Sequence, residues 1–358
     1  LKALIAAGGT GGHIYPGIAV AREVQRRDPE ADILFVGTAR GLETKIVPRE
    51  GFKLELLKVA ALKGVSIFER LRSLALLPAS FIAALAILKR FRPDVVIGVG
   101  GYSSGPILLM AALTKRATLV VEPNAMPGFT NRVLARFVGG AAVTFEESLR
   151  FFRGRGRVTG NPVRGDFARI RPKAREAKLS LLIFGGSQGS RAINEAVVGA
   201  LPVLIEHRES LAITHQTGER DLETVRQGYS RAGFEGADVR AFIHDMGAQF
   251  ERADVLICRS GATTAAEVAA AGKAAIFVPF PFATDDHQRK NAEAFERAGA
   301  ARMILQKELT PERLAKELIH LIGHPQVITA MERAATALGR EDAAERVVDF
   351  ATELAGKR

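Results

Sequence analysis

The chain has 358 residues, 47% of them apolar, which is enough for two domains with real cores. Its single cysteine, Cys258, excludes a disulfide framework and a cysteine metal cluster, and it points to a reducing compartment. The formal charge of +11 is lopsided: residues 1–162 hold 23 Lys/Arg against 12 Asp/Glu, whereas residues 163–358 hold 27 of each, so an anionic partner is expected at the N-terminal half.

In the first half, strand-like runs fit residues 2–7, 32–36, 54–57, 94–97, 118–121 and 141–143, and helical patterns fill gaps such as 16–27, 42–48 and 127–138. That alternation predicts a parallel sheet covered on both faces. No signal peptide pattern opens the sequence. An initiator or short leader is expected ahead of Leu1, which stands one residue before the first strand.

The first strand runs into GGTGGH (8–13). A glycine loop between a parallel strand and a helix brings backbone N–H groups and a helix N-terminus together, and both favour an anion. The pattern is neither G-x-G-x-x-G nor a P-loop. The second strand ends Phe35-Val36-Gly37-Thr38 with no acidic residue for a nicotinamide ribose. His13 closes the loop at the sheet edge, where a neutral imidazole can take a proton from an alcohol or simply hold the loop.

Residues 62–92 mix Leu, Ile and Phe with Lys63, Arg70, Arg72, Lys89, Arg90 and Arg92. The longest uncharged stretch, 73–88, is interrupted by Pro78 and is shorter than a bilayer span of about 20 residues. It reads as two helical segments with apolar faces and basic rims, able to lie on anionic lipid. The alternative places Leu74, Leu77, Phe81, Leu85 and Leu88 in a core. The basic face is not read as a nucleic-acid site, because zinc-finger spacing, aromatic-rich strand pairs and tandem basic clusters are missing.

The run DVVIGVGGYSSGP (94–106) is a buried strand feeding a second glycine-rich loop, suited to another anionic group. In VVEPNAMPG (120–128), Glu122 and Asn124 follow a strand, and Glu122 rivals His13 as a proton acceptor. Gly160-Asn161-Pro162 then breaks the pattern, and a domain boundary is placed near 160–164.

The alternation restarts with strands at 179–184, 211–214, 238–241, 254–257 and 275–278, and helices at 190–198, 219–227, 263–271, 287–297 and 311–323. A charged helix is expected over 341–354. GGSQGS (185–190) repeats the glycine loop 177 residues after the first. Ser260-Gly261 forms a strand-to-helix turn open to phosphate. Glu267, an acceptor-only carboxylate on an alanine-rich helix, suits a ribose diol. Asp285, Asp286, His287, Gln288 and Asn291 form a polar cluster suited to sugar hydroxyls. The histidines other than His13 read as scattered, so no fixed metal site is expected.

These motifs together carry a resemblance. GGTGGH (8–13), GGYSSGP (100–106), GNPVR (160–164), GGSQGS (185–190), CRSGATTAAE (258–267), VPFPFATDDHQ (278–288) and NAEAFERAG (291–299) occur in this order. As a set they resemble the MurG family of bacterial peptidoglycan glycosyltransferases. The resemblance implies an α/β fold of GT-B type, two Rossmann-like domains with parallel sheets facing across a cleft. It implies an acceptor-binding, membrane-associating domain over 1–162, a UDP-sugar domain over 163–340, and a C-terminal helix at 341–358 that packs back on the first domain.

The activity implied is inverting transfer of N-acetylglucosamine from UDP-N-acetylglucosamine to the C4 hydroxyl of the N-acetylmuramoyl unit of lipid I, giving lipid II. No cofactor is implied. The partners are the UDP-sugar, the undecaprenyl-diphosphate-linked acceptor, and an anionic membrane surface met by residues 62–92, at the cytoplasmic face of the inner membrane. A UDP-N-acetylglucosamine 2-epimerase on the same fold is the alternative.

Residue by residue, the resemblance assigns Thr10, Asn124, Arg164, Ser187, Gln188, Ile243, Ser260, Gly261, Glu267 and Gln288 to the donor. Ile243 would meet the uracil through its backbone, and Glu267 the ribose. Gly11, Gly12, Gly101, Tyr102, Ser103 and Ser104 would hold the acceptor diphosphate, with His13 or Glu122 as base. The chain departs from the family at Val121 and Pro123, where many members carry His and Gln, and at His287, where some carry a second glutamine.

Overall fold

The structure is a computed structural model that describes residues 1–9, 11–39, 41–59, 67–101, 103–170, 176–186 and 188–357, with backbone alone over 67–76 and at 168 and 284. It divides into two compact units: Leu1–Arg164 with Arg340–Arg358, and Gly165–Gly339.

Unit 1 alternates β1 (Lys2–Ala7), α1 (Gly11–Arg27), β2 (Asp32–Gly37), α2 (Glu43–Arg49), β3 (Lys53–Leu56), α3 (Ile67–Phe91), β4 (Val95–Gly100), α4 (Ser104–Leu113), β5 (Ala117–Glu122), α5 (Phe129–Leu134), β6 (Gly140–Val143) and β7 (Gly156–Val158). The seven strands pair in parallel in the order β3-β2-β1-β4-β5-β6-β7. Strand side chains alternate between faces, so β1 serves two cores. Ala3, Ile5 and Ala7 pack with α1, while Leu4 and Ala6 pack with Leu88 of α3, Ile107 of α4 and Leu134 of α5.

Unit 2 continues with α6 (Gly165–Ala168), β8 (Leu179–Phe184), α7 (Arg191–Ala200), β9 (Leu211–Gln216), α8 (Leu222–Arg231), β10 (Asp238–Arg240), α9 (Met246–Arg252), β11 (Val255–Cys258), α10 (Ala262–Ala270), β12 (Ala274–Phe277), α11 (His287–Arg297), β13 (Ala301–Met303), α12 (Pro311–Gly323) and α13 (Pro325–Leu338). Its six parallel strands run β10-β9-β8-β11-β12-β13.

The last helix, α14 (Ala343–Gly356), belongs to unit 1. Val347, Val348, Phe350 and Ala351 join the core that contains Ile5. The Phe350 ring lies so close over Gly140 that a Cβ there would sit 2.6 Å from it. The Arg157 guanidinium covers the ring at 4.2 Å and pairs with Glu353, whose carboxyl it pulls down to about 2. Phe350→Ala is expected to remove roughly 3–5 kcal/mol and lower Tm by roughly 5–10 °C, read by calorimetry. An unchanged Tm would mean that unit 1 holds its sheet without α14.

Several expectations shift. The helix after GGTGGH begins at Gly11, not at residue 16 where Pro16 suggests a start. Gly11 and Gly12 of the loop are therefore themselves part of the first helical turn. Residues 67–91 form one helix through Pro78 rather than two segments. Leu88 is core, Leu77, Phe81 and Leu85 are half-buried, and Ile82 points out. The side chains of Leu74, Lys63, Arg70 and Arg72 lie outside the described residues. β7 and β13, three residues each at sheet edges, are too short to show a period. α13 does carry one, in Ile328, Met331 and Ala335.

Candidate active site

In an open parallel sheet, ligands gather beyond the C-terminal strand ends where the strand order reverses. In unit 1 that point lies between β1 and β4. It brings the loop at 8–13 against the loop at 100–105. Gly101 has φ +85, and a Cβ on it would sit 2.3 Å from the Gly8 carbonyl oxygen.

The first loop is held from behind by Glu43 of α2, which is fully buried. Its carboxylate accepts from the Gly9 N–H at 2.9 Å, the Thr38 N–H at 2.7 Å and the Thr38 hydroxyl at 2.8 Å. Gly11, Gly12 and His13 form the first turn of α1, whose N–H groups have no acceptor inside the helix. His13 Nδ1 lies 3.2 Å from the Gly8 carbonyl oxygen. A carbonyl only accepts, so Nδ1 carries the hydrogen and the imidazole lone pair is on Nε2.

The second loop splits its two serines. Ser103 is fully buried, and its hydroxyl has no hydrogen-bond partner among the described residues. Ser104 corrects its assignment: its hydroxyl donates towards the carbonyls of Ala6 at 2.9 Å and Gly100 at 2.7 Å, so the side chain clamps β1 to β4.

Gly101→Ala is expected to push the two loops apart and to cost about 10-fold or more in acceptor-dependent kcat/KM, by misplacing groups by an ångström or less. UDP affinity should stay unchanged. Wild-type turnover in that variant would separate the loop from the chemistry.

Glu122 ends β5 and is 1% exposed. Oε1 accepts from Asn124 N–H at 2.9 Å and from Asn124 Nδ2 at 3.1 Å. Oε2 accepts from Gly128 N–H at 2.9 Å and from Asn131 Nδ2 at 2.8 Å. Burial pushes its pKa up, against the pull of these donors. With both oxygens occupied, Glu122 folds the loop from 122 to 131 and is poorly placed to take a proton from a substrate. Asn124 spends its side-chain amide on the same carboxylate. Arg164 belongs to unit 1, where its guanidinium lies 4.6 Å from the Tyr15 ring centroid.

In unit 2 the strand order reverses between β8 and β11, so the GGSQGS loop meets the turn at 259–261. Gly189 has φ +73, and a Cβ there would sit 1.8 Å from the Thr217 carbonyl oxygen. Gln188 is exposed beside it. Arg259 is drawn inward: it donates to the carbonyls of Val278 at 3.0 Å and Pro279 at 3.1 Å, to the Ser190 hydroxyl at 2.7 Å and to Gln306 Oε1 at 2.7 Å. Burial lowers its pKa to about 10. Its charge therefore ties three loops together rather than facing a ligand.

Ser260 is fully buried. Its hydroxyl donates to the Gln288 carbonyl at 2.8 Å, and its own carbonyl accepts from Asn291 Nδ2 at 3.2 Å. The side chain thus stitches β11 to α11, and only the backbone around Gly261, which caps α10 in an extended conformation, remains for an anion. Gln288 Oε1 accepts from the Phe280 N–H at 3.0 Å, which orients its NH2 group. Asp285 and Asp286 both have φ near 55°, a left-handed turn that Asp tolerates, and His287 opens α11 behind them.

Glu267 is buried on α10. Together with burial, its charge raises the Cys258 thiol pKa. Ile243 is buried as well, and its N–H is taken by Gln216 Oε1 at 2.7 Å. Thr10, Tyr102 and Ser187 lie outside the described residues.

Two family models match the chain: the glycosyltransferase family 28 N-terminal domain over residues 3–143 and the family 28 C-terminal domain over 180–347. A UDP-N-acetylglucosamine–N-acetylmuramyl-(pentapeptide) pyrophosphoryl-undecaprenol N-acetylglucosamine transferase from Anaeromyxobacter sp. (strain Fw109-5) is 50% identical, over 100% of this chain and 94% of the relative. The crystal structure of Acinetobacter baumannii MurG superposes with a TM-score of 0.80 at 31% identity, covering 98% of this chain and 99% of that one. The chain belongs to the MurG family.

Its two parallel-sheet units are the GT-B fold of MurG-type enzymes. A putative UDP-N-acetylglucosamine 2-epimerase from Listeria monocytogenes shares that fold, with a TM-score of 0.74 over 100% of this chain and 97% of that one, but only 14% identity. That likeness extends to the fold alone.

Motif reading of this MurG-family chain passed over two residues that shape its loops, Glu43 and Gln216; for Arg259 it left open the diphosphate or the loop, and the bonds of its guanidinium favour the loop. It also passed over a histidine pair. His320 and His324 are four residues apart at the end of α12, with stacked rings 4.4 Å between centroids. His324 Nδ1 lies 2.8 Å from the His320 carbonyl. Among the described residues no group of three or more His, Cys, Asp or Glu gathers around a common point, and two exposed imidazoles fall short of a fixed metal site.

Proposed function

We propose that the chain transfers N-acetylglucosamine from UDP-N-acetylglucosamine to N-acetylmuramyl-(pentapeptide) pyrophosphoryl-undecaprenol (lipid I), giving lipid II. One observation supports this reading on the residues themselves. Each unit sets a glycine loop and a helix start at its own switch point, and the reaction joins two substrates that each carry a diphosphate. The loops are not equivalent. The first has the His13 imidazole beside it, as an acceptor site needs. The second has Glu267, the Ile243 backbone and Gln288 around it, groups suited to ribose, uracil and sugar hydroxyls.

The chemistry follows as a single displacement with inversion. His13 Nε2 takes the proton of the acceptor C4 hydroxyl as its oxygen attacks the anomeric carbon. The bond to the UDP oxygen breaks, and the charge that develops on the diphosphate is met by N–H groups of the second glycine loop and the start of α10. Glu122 and Asn124 shape the acceptor-side loop, and Arg164 adds positive charge near the first loop.

Among the described residues no helix is long and apolar enough to cross a membrane. Peripheral attachment at the cytoplasmic face of the inner membrane fits the helical layer on one face of the unit 1 sheet. There Ile82 of α3, Leu113 of α4, and Phe129, Val133 and Phe137 of and after α5 are exposed, and so are Lys89 of α3 and Arg136 after α5. Apolar side chains within a basic rim suit anionic lipid.

An assay with UDP-N-acetylglucosamine and a lipid I analogue tests the function. Acceptor-dependent release of UDP with a new β1→4 linkage is expected. Consumption of the UDP-sugar without acceptor would favour the epimerase instead.

A further inference from the structure

We infer that Gln216 is a positioning residue that couples base recognition to diphosphate recognition in unit 2, and so sets the preference for uridine among nucleoside diphosphates. The inference rests on the donor reading above, in which Ile243 meets the base and the loop at 185–190 meets the phosphates.

The argument starts from register. Gln216 is the last residue of β9 and pairs with Phe184, the last of β8, on one side, and with Arg240, the last of β10, on the other. Neighbouring strands lie about 4.8 Å apart. A side chain at this central position therefore reaches the loops that leave both neighbours. Gln216 does so with each end of one amide. Its Nε2 donates to the Gly186 carbonyl at 2.9 Å, two residues past Phe184. Its Oε1 accepts from the Ile243 N–H at 2.7 Å, three residues past Arg240. The side chain is 2% exposed, so water does not compete for these bonds.

The arrangement is demanding. It needs one donor and one acceptor at the tip of a chain of this length. Asn is one methylene short. Glu brings a second acceptor against the Gly186 carbonyl, and Lys has no acceptor. The neighbours are already fixed. The Gly186 carbonyl also accepts from Gly189 N–H at 3.0 Å, and Thr217 N–H and Gly218 N–H donate to the carbonyls of Arg240 and Ala241 at 3.0 and 3.1 Å. Behind Gln216, buried His215 contacts Tyr229 and Asn194, each at 3.1 Å, and burial holds its pKa down at about 3, which keeps it neutral.

The consequence is chemical. With its N–H engaged, the Ile243 peptide is held in one orientation and presents its carbonyl, an acceptor. Uracil N3 carries a hydrogen and can donate to it, whereas cytosine N3 carries none. The same amide fixes the distance from that carbonyl to the phosphate loop. Gln216 thus favours a base with a donor at N3 at a set distance from a diphosphate.

The test uses the full chain and three probes, UDP, CDP and uridine, with Kd read by calorimetry and fold checked by circular dichroism. In Gln216→Met, which keeps the volume and loses both bonds, Kd for UDP should rise about 10- to 100-fold, and the preference for UDP over CDP should shrink. In Gln216→Glu, which keeps the bond to Ile243 and opposes Gly186, UDP should weaken while uridine affinity and the UDP-over-CDP preference hold. With UDP-N-acetylglucosamine as substrate, both variants should raise the donor KM far more than they lower kcat.

Unchanged UDP affinity and base preference in folded Gln216→Met would overturn the inference alone. If that variant does not fold, equal loss of UDP and uridine in Gln216→Glu would overturn it. Wild-type chain that binds no UDP would overturn the donor reading, and the inference with it.

Discussion

His13→Ala is expected to lose about 10²- to 10⁴-fold in kcat, the usual contribution of a positioned general base, with little change in the KM for UDP-N-acetylglucosamine. The expectation rests on how the ring is held. The Gly8 carbonyl fixes the tautomer at Nδ1, and the ring lies so close to Gly100 that a Cβ there would sit 2.7 Å from Cδ2. Both contacts aim the imidazole along the edge of the β1–β4 crevice. Steady-state kinetics with the lipid I analogue, together with a direct UDP titration, check the prediction. A variant with wild-type kcat would move the proton acceptor elsewhere, to the acceptor phosphate or to solvent.

Glu122→Ala should act differently, on stability and rate together. It leaves four N–H donors (two from Asn124, one each from Gly128 and Asn131) buried without an acceptor. Breaking such a cluster costs on the order of 3–5 kcal/mol. Tm should fall by roughly 10 °C, and the loop from 122 to 131 should lose protection in hydrogen exchange. Glu122→Gln should fall between, because its NH2 group faces donors. A variant with wild-type Tm and a large loss of kcat would instead restore Glu122 as a proton acceptor.

The two carboxylates of unit 1 show why motif reading stops where it does. Glu122 stands at a strand end, which is also where a catalytic carboxylate would stand. What separates the roles is whether backbone donors converge on it, and Asn131 lies nine residues on. Glu43 carries no motif, yet it holds the first glycine loop from 34 residues away. Ser260, Ser104 and Arg259 have the residue types of phosphate contacts, and each is consumed by a carbonyl on another element, helix α11 for Ser260, strand β1 for Ser104 and the loop after β12 for Arg259. In each case the deciding partner is distant in sequence.

The alternation of buried strands and helices, both glycine loops, the uneven charge and the family are legible in the residues alone. Those features are local, set by apolar runs, by glycine and by residue type. Which loops share a crevice is settled in the folded chain. That follows from strand order, with β1 beside β4 and β8 beside β11, and strand order is fixed by packing between residues 90 and 70 positions apart. The folded chain also settles which polar side chains remain for a substrate, because a buried donor or acceptor is claimed by the nearest backbone group that satisfies it.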